Sequence, residues 1–439
     1  MSALLPVAEA LARVLASARP GAETRDTPLL DALGHVLAES VIAAMDVPPA
    51  DNSAMDGYAL RAAEAHQGLT VVQRIPAGAT GTELPGGCAA RIFTGAIIPS
   101  GADAVVMQEN CTEAAGVVRV SGPVTAGQNI RPRGQDIAVG DTVLARGRVL
   151  RPQDLGLLAS IGGARVKVYR PLRVAVLSTG DELVEPGSGE LPEGAIYNSN
   201  RYMLAGLLRS LNLEFIDCGR VADHPEATAQ ALLEAAQRAD CIITTGGVSV
   251  GEEDHVKSQV ERLGRLDLWK LALKPGKPLA FGSIGDIPFI GLPGNPTSVF
   301  VTFCLVARPF LLKMQGVAEP EAPRLQASAA FTVGRPGTRQ EYLRVTLENT
   351  PGGLQATRFP NQSSGVLSSV SHSNALAVIP AGTTVEPGQD VEVILLDSLV
   401  REARCPVRRN TSGKPAKHWC RRSRSCWTSP AVSRRFPGA

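Results

Sequence analysis

The chain has 439 residues, 44% of them hydrophobic and 20% charged, a globular composition with length for two to four domains. Its formal charge of +2 hides an asymmetry: residues 401–439 hold eleven Lys/Arg and one acid, leaving a body of 33 basic and 41 acidic groups, about −8 net, which argues against nucleic-acid binding. Residues 1–20 carry spaced apolar positions rather than a leader. The longest apolar run, 299–307, stops at Arg308-Pro309, short of the ~20 residues of a membrane span, so a cytoplasmic protein with no membrane contact is expected.

In chain order, Val7, Ala10, Leu11, Val14, Leu15 and Ala18 recur at helical spacing, and Pro20-Gly21 ends the helix they predict. Residues 28–37 read as a second short helix. Residues 46–59, DVPPADNSAMDGYA, form an irregular loop stiffened by two prolines; it either holds Asp51 and Asp56 at fixed geometry beside Tyr58 or uses them in its own turns. Short β-like runs at 70–72, 104–107 and 117–120 predict a β-rich insertion over about 60–145. Two of its turns carry chemistry. Residues 91–96 set Thr94 before a glycine, and 129–136 crowd Arg131, Arg133 and Asp136 around a proline, groups that suit an oxyanion or one another. Residues 152–161 predict a helix with proline in its first turn, which closes the first half.

Strands and helices then alternate. The apolar strand 173–178 ends in Thr179-Gly180-Asp181-Glu182; Asn200 caps a helix to Leu211; Phe215-Ile216 is a strand; Asp223-His224-Pro225 opens a helix to Arg238, with Asp223 its cap on the plainer reading; 241–243 is the next strand. Such alternation predicts a parallel sheet covered on both faces, with ligands beyond the carboxyl ends of its strands. Gly246, Gly247 and Ser249 lie there in a glycine-rich turn before a helix-like segment opening with Glu252, Glu253 and Asp254, the outline of an anion site. Lys270, Lys274 and Lys277 follow between short apolar runs, with the turns KPGKP and LPGNP after them. Three ammonium groups beside a glycine loop suit a strongly anionic ligand, a solvated basic edge being the alternative. Asp181, Glu182, Asp223 and Asp254 beside phosphate-binding groups are a residue set for Mg²⁺. His224 and His255 lack metal-ligand spacing, and the eight cysteines, without CxxC pairs, read as reduced thiols. Residues 324–396 show short strands, including 343–345 and 391–394. The tail beyond has no periodicity and departs from the body's composition, as a shifted reading frame or an unstructured basic arm would.

DNSAMDGYA (51–59), RIFTGA (91–96), STGDEL (178–183), TTGGVSVGE (244–252), LKPGKP (273–278) and GLPGNPTS (291–298) together resemble the molybdopterin molybdenumtransferase family, MoeA and the E domain of gephyrin, over about residues 1–397. The resemblance implies an α/β multidomain fold: an N-terminal region (1–170) with a β-rich extension, a molybdopterin-binding domain with a central parallel sheet (171–318), a small C-terminal β-barrel (319–398), and then the tail (399–439). It implies Mg²⁺-dependent insertion of molybdate into adenylylated molybdopterin with release of AMP. It also implies a homodimer with an active site shared between subunits, and as partners a molybdopterin adenylyltransferase and downstream proteins that mature molybdoenzymes. Carried onto this chain, Asp56, Thr94, Arg131, Asp136, Glu182, Asp223, Asp254 and Lys270 are catalytic, with Glu182 and Asp254 on the metal. Gly246, Gly247, Ser249, Lys274, Lys277, Pro293, Pro296 and Ser298 bind substrate, and the barrel supplies Arg344 and Ser364, or Ser363, to molybdate. Two other functions stay open: molybdopterin adenylyltransferase, whose lone domain resembles residues 171–315, and a scaffold of the gephyrin type.

Overall fold

The computed structural model describes residues 4–21, 23–247 and 255–400, so the expectations for Ser249, Asp254 and the basic tail lie outside the described residues. Helix α1 (Val7–Ser17) buries Val7, Ala10 and Val14, the face its spacing predicts. The expected helix at 28–37 is absent. Strand β1 (Thr24–Pro28) pairs antiparallel with a strand 140 residues on, Pro28 opposite Arg165, and only one 3-10 turn, Leu29–Asp31, follows. Leu29 gives its N–H to Ala164, and Gly34 at φ +76° breaks any continuation.

The β-rich insertion is a six-stranded sheet. Its strands are β2 (Gly57–Leu60), β3 (Leu69–Ile75), β4 (Cys88–Ile92), β5 (Ala104–Met107), β6 (Cys111–Ala114) and β7 (Val117–Val120), in the order β5-β2-β4-β3-β7-β6. Both its faces are packed: Tyr58 and Leu60 enter one cluster, Ala59 between them the other. The chain returns through helix α2 (Pro152–Ser160) and β8 (Arg165–Tyr169), the partner of β1.

The central domain alternates as expected: β9 (Arg173–Thr179), α3 (Ser199–Ser210), β10 (Glu214–Val221), α4 (Pro225–Arg238), β11 (Cys241–Thr245) and α5 (His255–Leu263). Then come β12 (Gly264–Lys270), the two-residue β13 (Leu273–Lys274), β14 (Pro278–Ile284) and β15 (Ile287–Leu292). The sheet order is β10-β9-β11-β15-β14-β12. It is mixed rather than wholly parallel: β10, β9, β11 and β15 are parallel, β14 runs antiparallel to β15, and β12 pairs antiparallel with β14. Ile284 and Ile287 pair directly, and a connection of two residues can join only antiparallel strands. Alternate residues feed the two faces, Val174 and Val176 one cluster, Ala175 and Leu177 the other. Helix α3 starts two residues early, because Asn198 rather than Asn200 accepts the capping bond, from Arg201 N at 3.3 Å.

A helical run Pro296–Met314 crosses one face: α6 (Pro296–Thr302), a π-turn (Phe303–Ala307) and α7 (Arg308–Met314). The apolar run 299–307 stops at Arg308-Pro309, but the helical run does not. Instead the π-turn precedes Pro309, whose missing N–H belongs to the first turn of α7. Among the described residues this is the one segment long and apolar enough to cross a membrane, and 94% of it is buried inside the fold. The buried Arg308 guanidinium donates to the carbonyls of Leu399, Pro320 and Ser398 at 2.9–3.0 Å, tying the run to the chain's last described turn. The C-terminal strands β16 (Leu325–Ala329), β17 (Gln340–Thr350), β18 (Gly353–Arg358), β19 (Ala375–Ile379) and β20 (Asp390–Leu395) close into a five-stranded barrel through the β17–β19 pairing, and β13 adds to the edge of β17. The five described cysteines are free thiols.

Candidate functional site

Where β11 ends, the backbone requires glycine. Gly246 sits at φ +85°, where a Cβ would fall 2.8 Å from Thr179 O; Gly247 sits at φ +64°, where a Cβ would fall 2.5 Å from Val256 Cγ2. Both line a cavity of about 530 Å³ whose walls come from two folds. The α/β domain gives the 274–278 turn, Pro293, Gly294, Asn295 and Ser298; the barrel side gives Arg339, Gln362, Ser363 and Ser364. Hydrogen bonds join the two: Asn295 Nδ2 donates to Ser364 Oγ at 3.2 Å, Thr297 N to Ser364 O at 3.1 Å, and Arg339 Nη1 to Leu273 O at 3.0 Å.

The charged residues that line it, Lys274, Lys277 and Arg339, are all cations. Lys274 Nζ is 2.8 Å from Glu341 Oε1, which stands outside the lining. Arg339 belongs to no motif that marks it in the sequence. It is brought there because Leu273 pairs with Gln340, a register that a two-residue strand leaves no pattern for. Arg344, expected on the ligand, does not line the cavity: it is 1% exposed, and its guanidinium donates to Ser369 Oγ, Tyr342 O and Ser363 O. Burial pushes its pKa down to about 10. Gln362 exchanges two hydrogen bonds with the Arg344 backbone, so Arg344 supports the lining loop from behind. Pro296 is the first residue of α6, and Lys270, exposed at the end of β12, also stands outside the lining.

The carboxylates gather at the neighbouring strand ends. Asp181 and Glu182 follow β9, Asp223 follows β10, and Thr179 pairs with Val221 so that the two turns adjoin. Asp223 is not a helix cap: α4 starts with His224 at its N-cap and no side-chain cap bond. Its N–H donates to Asp181 Oδ1 at 3.4 Å, and both Glu182 and Asp223 are exposed. Among the described residues no three His, Cys, Asp or Glu side chains form a ready metal cluster.

The N-terminal candidates form their own group, and no residue before Gly246 lines the cavity. Asp56 Oδ1 accepts Thr94 N at 2.8 Å and Thr94 Oγ1 at 2.7 Å, which holds its carboxyl below the ordinary range. Arg91 donates to Gly57 O at 2.9 Å and lies over the Phe93 ring, bracing both segments that carry the pair. The expected Arg–Asp pair exists with another acid: Arg133 binds Asp46, and Asp51 accepts Arg133 N at 2.7 Å. Arg131 and Asp136 are exposed, and their side chains make no hydrogen bond or ion pair among the described residues.

Three family regions match this chain in order. They are the MoeA N-terminal region (domain I and II) over residues 5–162, a probable molybdopterin binding domain over 175–313, and the MoeA C-terminal region (domain IV) over 326–396. A molybdopterin molybdenumtransferase of Haemophilus influenzae is 41% identical over 363 residues, 81% of this chain and 90% of that protein. One from a Nostoc species is 37% identical over 390 residues, 85% and 89% of the two chains. The solved structure of a molybdopterin biosynthesis MoeA protein from Pyrococcus horikoshii is similar at a TM-score of 0.79 and 33% identity, covering 90% of this chain and 100% of its own. The motif order, the barrel and the near-complete coverage agree, and the chain belongs to the molybdopterin molybdenumtransferase family.

Proposed function

We propose that the chain transfers molybdenum from molybdate to adenylylated molybdopterin, with Mg²⁺, releasing AMP and the molybdenum cofactor. The observation that carries this reading is the cavity whose charged lining is cationic throughout, set beside glycines that bring backbone N–H groups close. Molybdate is a tetrahedral dianion; Lys274, Lys277 and Arg339 supply charge, and Ser298, Ser363 and Ser364 supply hydroxyls to orient it. The Gly246-Gly247 turn fits the pyrophosphate link. Glu182 and Asp223 fit a hard cation, since their carboxylates are exposed oxygen donors and Asp223 is free of the cap role. Together with Asp254 they would hold Mg²⁺, which when bound neutralises phosphate charge as the phosphoanhydride is cleaved. Lys270 is a further contact for the anionic substrate.

The Asp56–Thr94 pair, Arg131 and Asp136 complete the site from a second subunit of a homodimer, since none of them lines the cavity of their own chain. The adenylylated substrate comes from a molybdopterin adenylyltransferase, and the product passes to proteins that mature molybdoenzymes. Purified protein given adenylylated molybdopterin, Mg²⁺ and molybdate is expected to release AMP in proportion to molybdate consumed. No AMP release, or ATP-dependent adenylylation of free molybdopterin instead, would refute the reading.

A further inference from the structure

Glu341 is placed against Lys274 by the backbone. The parallel pairing of β13 with β17 puts the two residues opposite each other, and the ammonium meets the carboxylate at 2.8 Å. The Glu341 side chain is 16% exposed and that of Lys274 50%, so the carboxylate is the fixed member and the lysine is the one with room to turn toward a ligand. No carboxylate lines the cavity itself, and Glu341 is the acid paired with one of its three cations, Lys274.

We propose that Glu341 is a specificity-determining residue of the anion cavity: as the resident partner of Lys274 it opposes an incoming oxyanion in proportion to that anion's charge, and so limits how highly charged an anion the cavity retains. The inference rests on the reading of Lys274 and Lys277 as oxyanion ligands. A ligand that reaches Lys274 lies within one side chain's reach of the Glu341 carboxylate, and repulsion at that range scales linearly with ligand charge. Binding free energy therefore shifts twice as far for a dianion as for a monoanion of the same shape, and the fold-change is squared. A residue that only held the loop in place would shift both anions alike.

Titration calorimetry of the full chain at low ionic strength tests this with two tetrahedral probes, perrhenate (one charge) and tungstate (two charges). Glu341→Gln is expected to tighten perrhenate about fivefold and tungstate by about the square of that, ~25-fold, with both gains shrinking as salt is added. Equal gains for the two anions, or none, overturn the proposal. Should Glu341→Gln lose its folded circular-dichroism spectrum, Glu341→Asp carries the test. It draws the charge back from Lys274 and must favour tungstate over perrhenate by a smaller ratio; an unchanged ratio overturns the proposal. Lys274→Met and Lys277→Met separate the inference from the reading beneath it. If neither weakens tungstate, the anion-site assignment fails and the inference falls with it; if both do while Glu341→Gln acts on the two probes equally, only the role of Glu341 falls.

Discussion

Gly276 lies between Lys274 and Lys277 on the cavity wall, and replacing it with alanine tests how rigidly that turn is built. Two separable effects follow. Its φ of +113° is one that L side chains rarely adopt, at about 1–3 kcal/mol. The added Cβ would fall 2.4 Å from Thr302 Oγ1. Thr302 is fully buried at the end of α6, so relief requires the turn or the helix to shift, a further ~1–3 kcal/mol. Gly276→Ala should therefore destabilise by roughly 2–6 kcal/mol and weaken oxyanion binding by moving both lysines. The two effects can be told apart because Thr302 Oγ1 has no hydrogen-bond partner among the described residues. Thr302→Ala removes the obstacle without stranding another polar group and alone costs about 1 kcal/mol. In the double variant the steric part returns and the backbone part stays, a favourable coupling of about 1–3 kcal/mol in a double-mutant cycle. Denaturant unfolding followed by Trp269, stacked on Phe281 at 5.7 Å, gives the stabilities, and tungstate calorimetry gives the binding. Additive effects would show that the Cβ never meets Thr302; full rescue would show that the backbone carries no strain.

Two more outcomes can be checked. Asp240 binds Arg170 and Arg173; burial works to raise its pKa, but the hydrogen bonds from the two arginines outweigh that and hold it at about 2 instead of 3.8. A depressed carboxylate stabilises above its unfolded pKa, so Asp240→Asn should lose about 2 kcal/mol at pH 7, with the gap to the parent closing as pH falls from about 4 to about 2; a constant gap across that window in acid unfolding refutes it. If the active site is shared, mixing inactive Asp56→Ala and Lys274→Ala proteins through unfolding and refolding should restore about a quarter of parental AMP release, because half the dimers are mixed and each has one intact site. No recovery would place both halves in one chain.

What the sequence disclosed follows from how local each feature is. The glycine turn after β11 and the strand ends bearing Asp181 and Asp223 are legible because an apolar run bounded by glycine fixes its own neighbours. The β-rich insertion and the barrel are legible as texture, short runs between turns. Misreadings occur where a distant partner decides. Residues 28–37 have helical spacing, yet β8 claims the strand before them. Asn198 and Asn200 are equivalent as caps in sequence, and the fold separates them: Asn198 Oδ1 accepts Arg201 N, while Asn200 is oriented by its Nδ2 bond to Gly294 O at 2.7 Å. Arg339 and Glu341 reach the site only through the pairing of β13 with β17, and Arg344, between Leu343 and Val345 that fill the barrel, is held on the barrel's outer face by Ser369.

That long-range assembly also bears on the competing functions. An adenylyltransferase reading needs only the α/β domain, whose glycine turn and Asp181–Glu182 segment would suffice to hold a nucleotide and its phosphates. Yet in this chain Asn295 gives its side chain to Ser364, Thr297 reaches both Ser364 and Val366, and Lys274 takes its counter-ion from β17. Remove the barrel and the cavity loses Arg339, Gln362, Ser363 and Ser364 together. The cationic wall is thus a product of two folds docked through specific bonds. A site that only had to bind phosphates beside glycines would have no need of the second. A site for a separate tetrahedral oxyanion next to those phosphates would need it, because Arg339, Ser363 and Ser364 add to the lining a cation and two hydroxyls that the α/β domain does not supply.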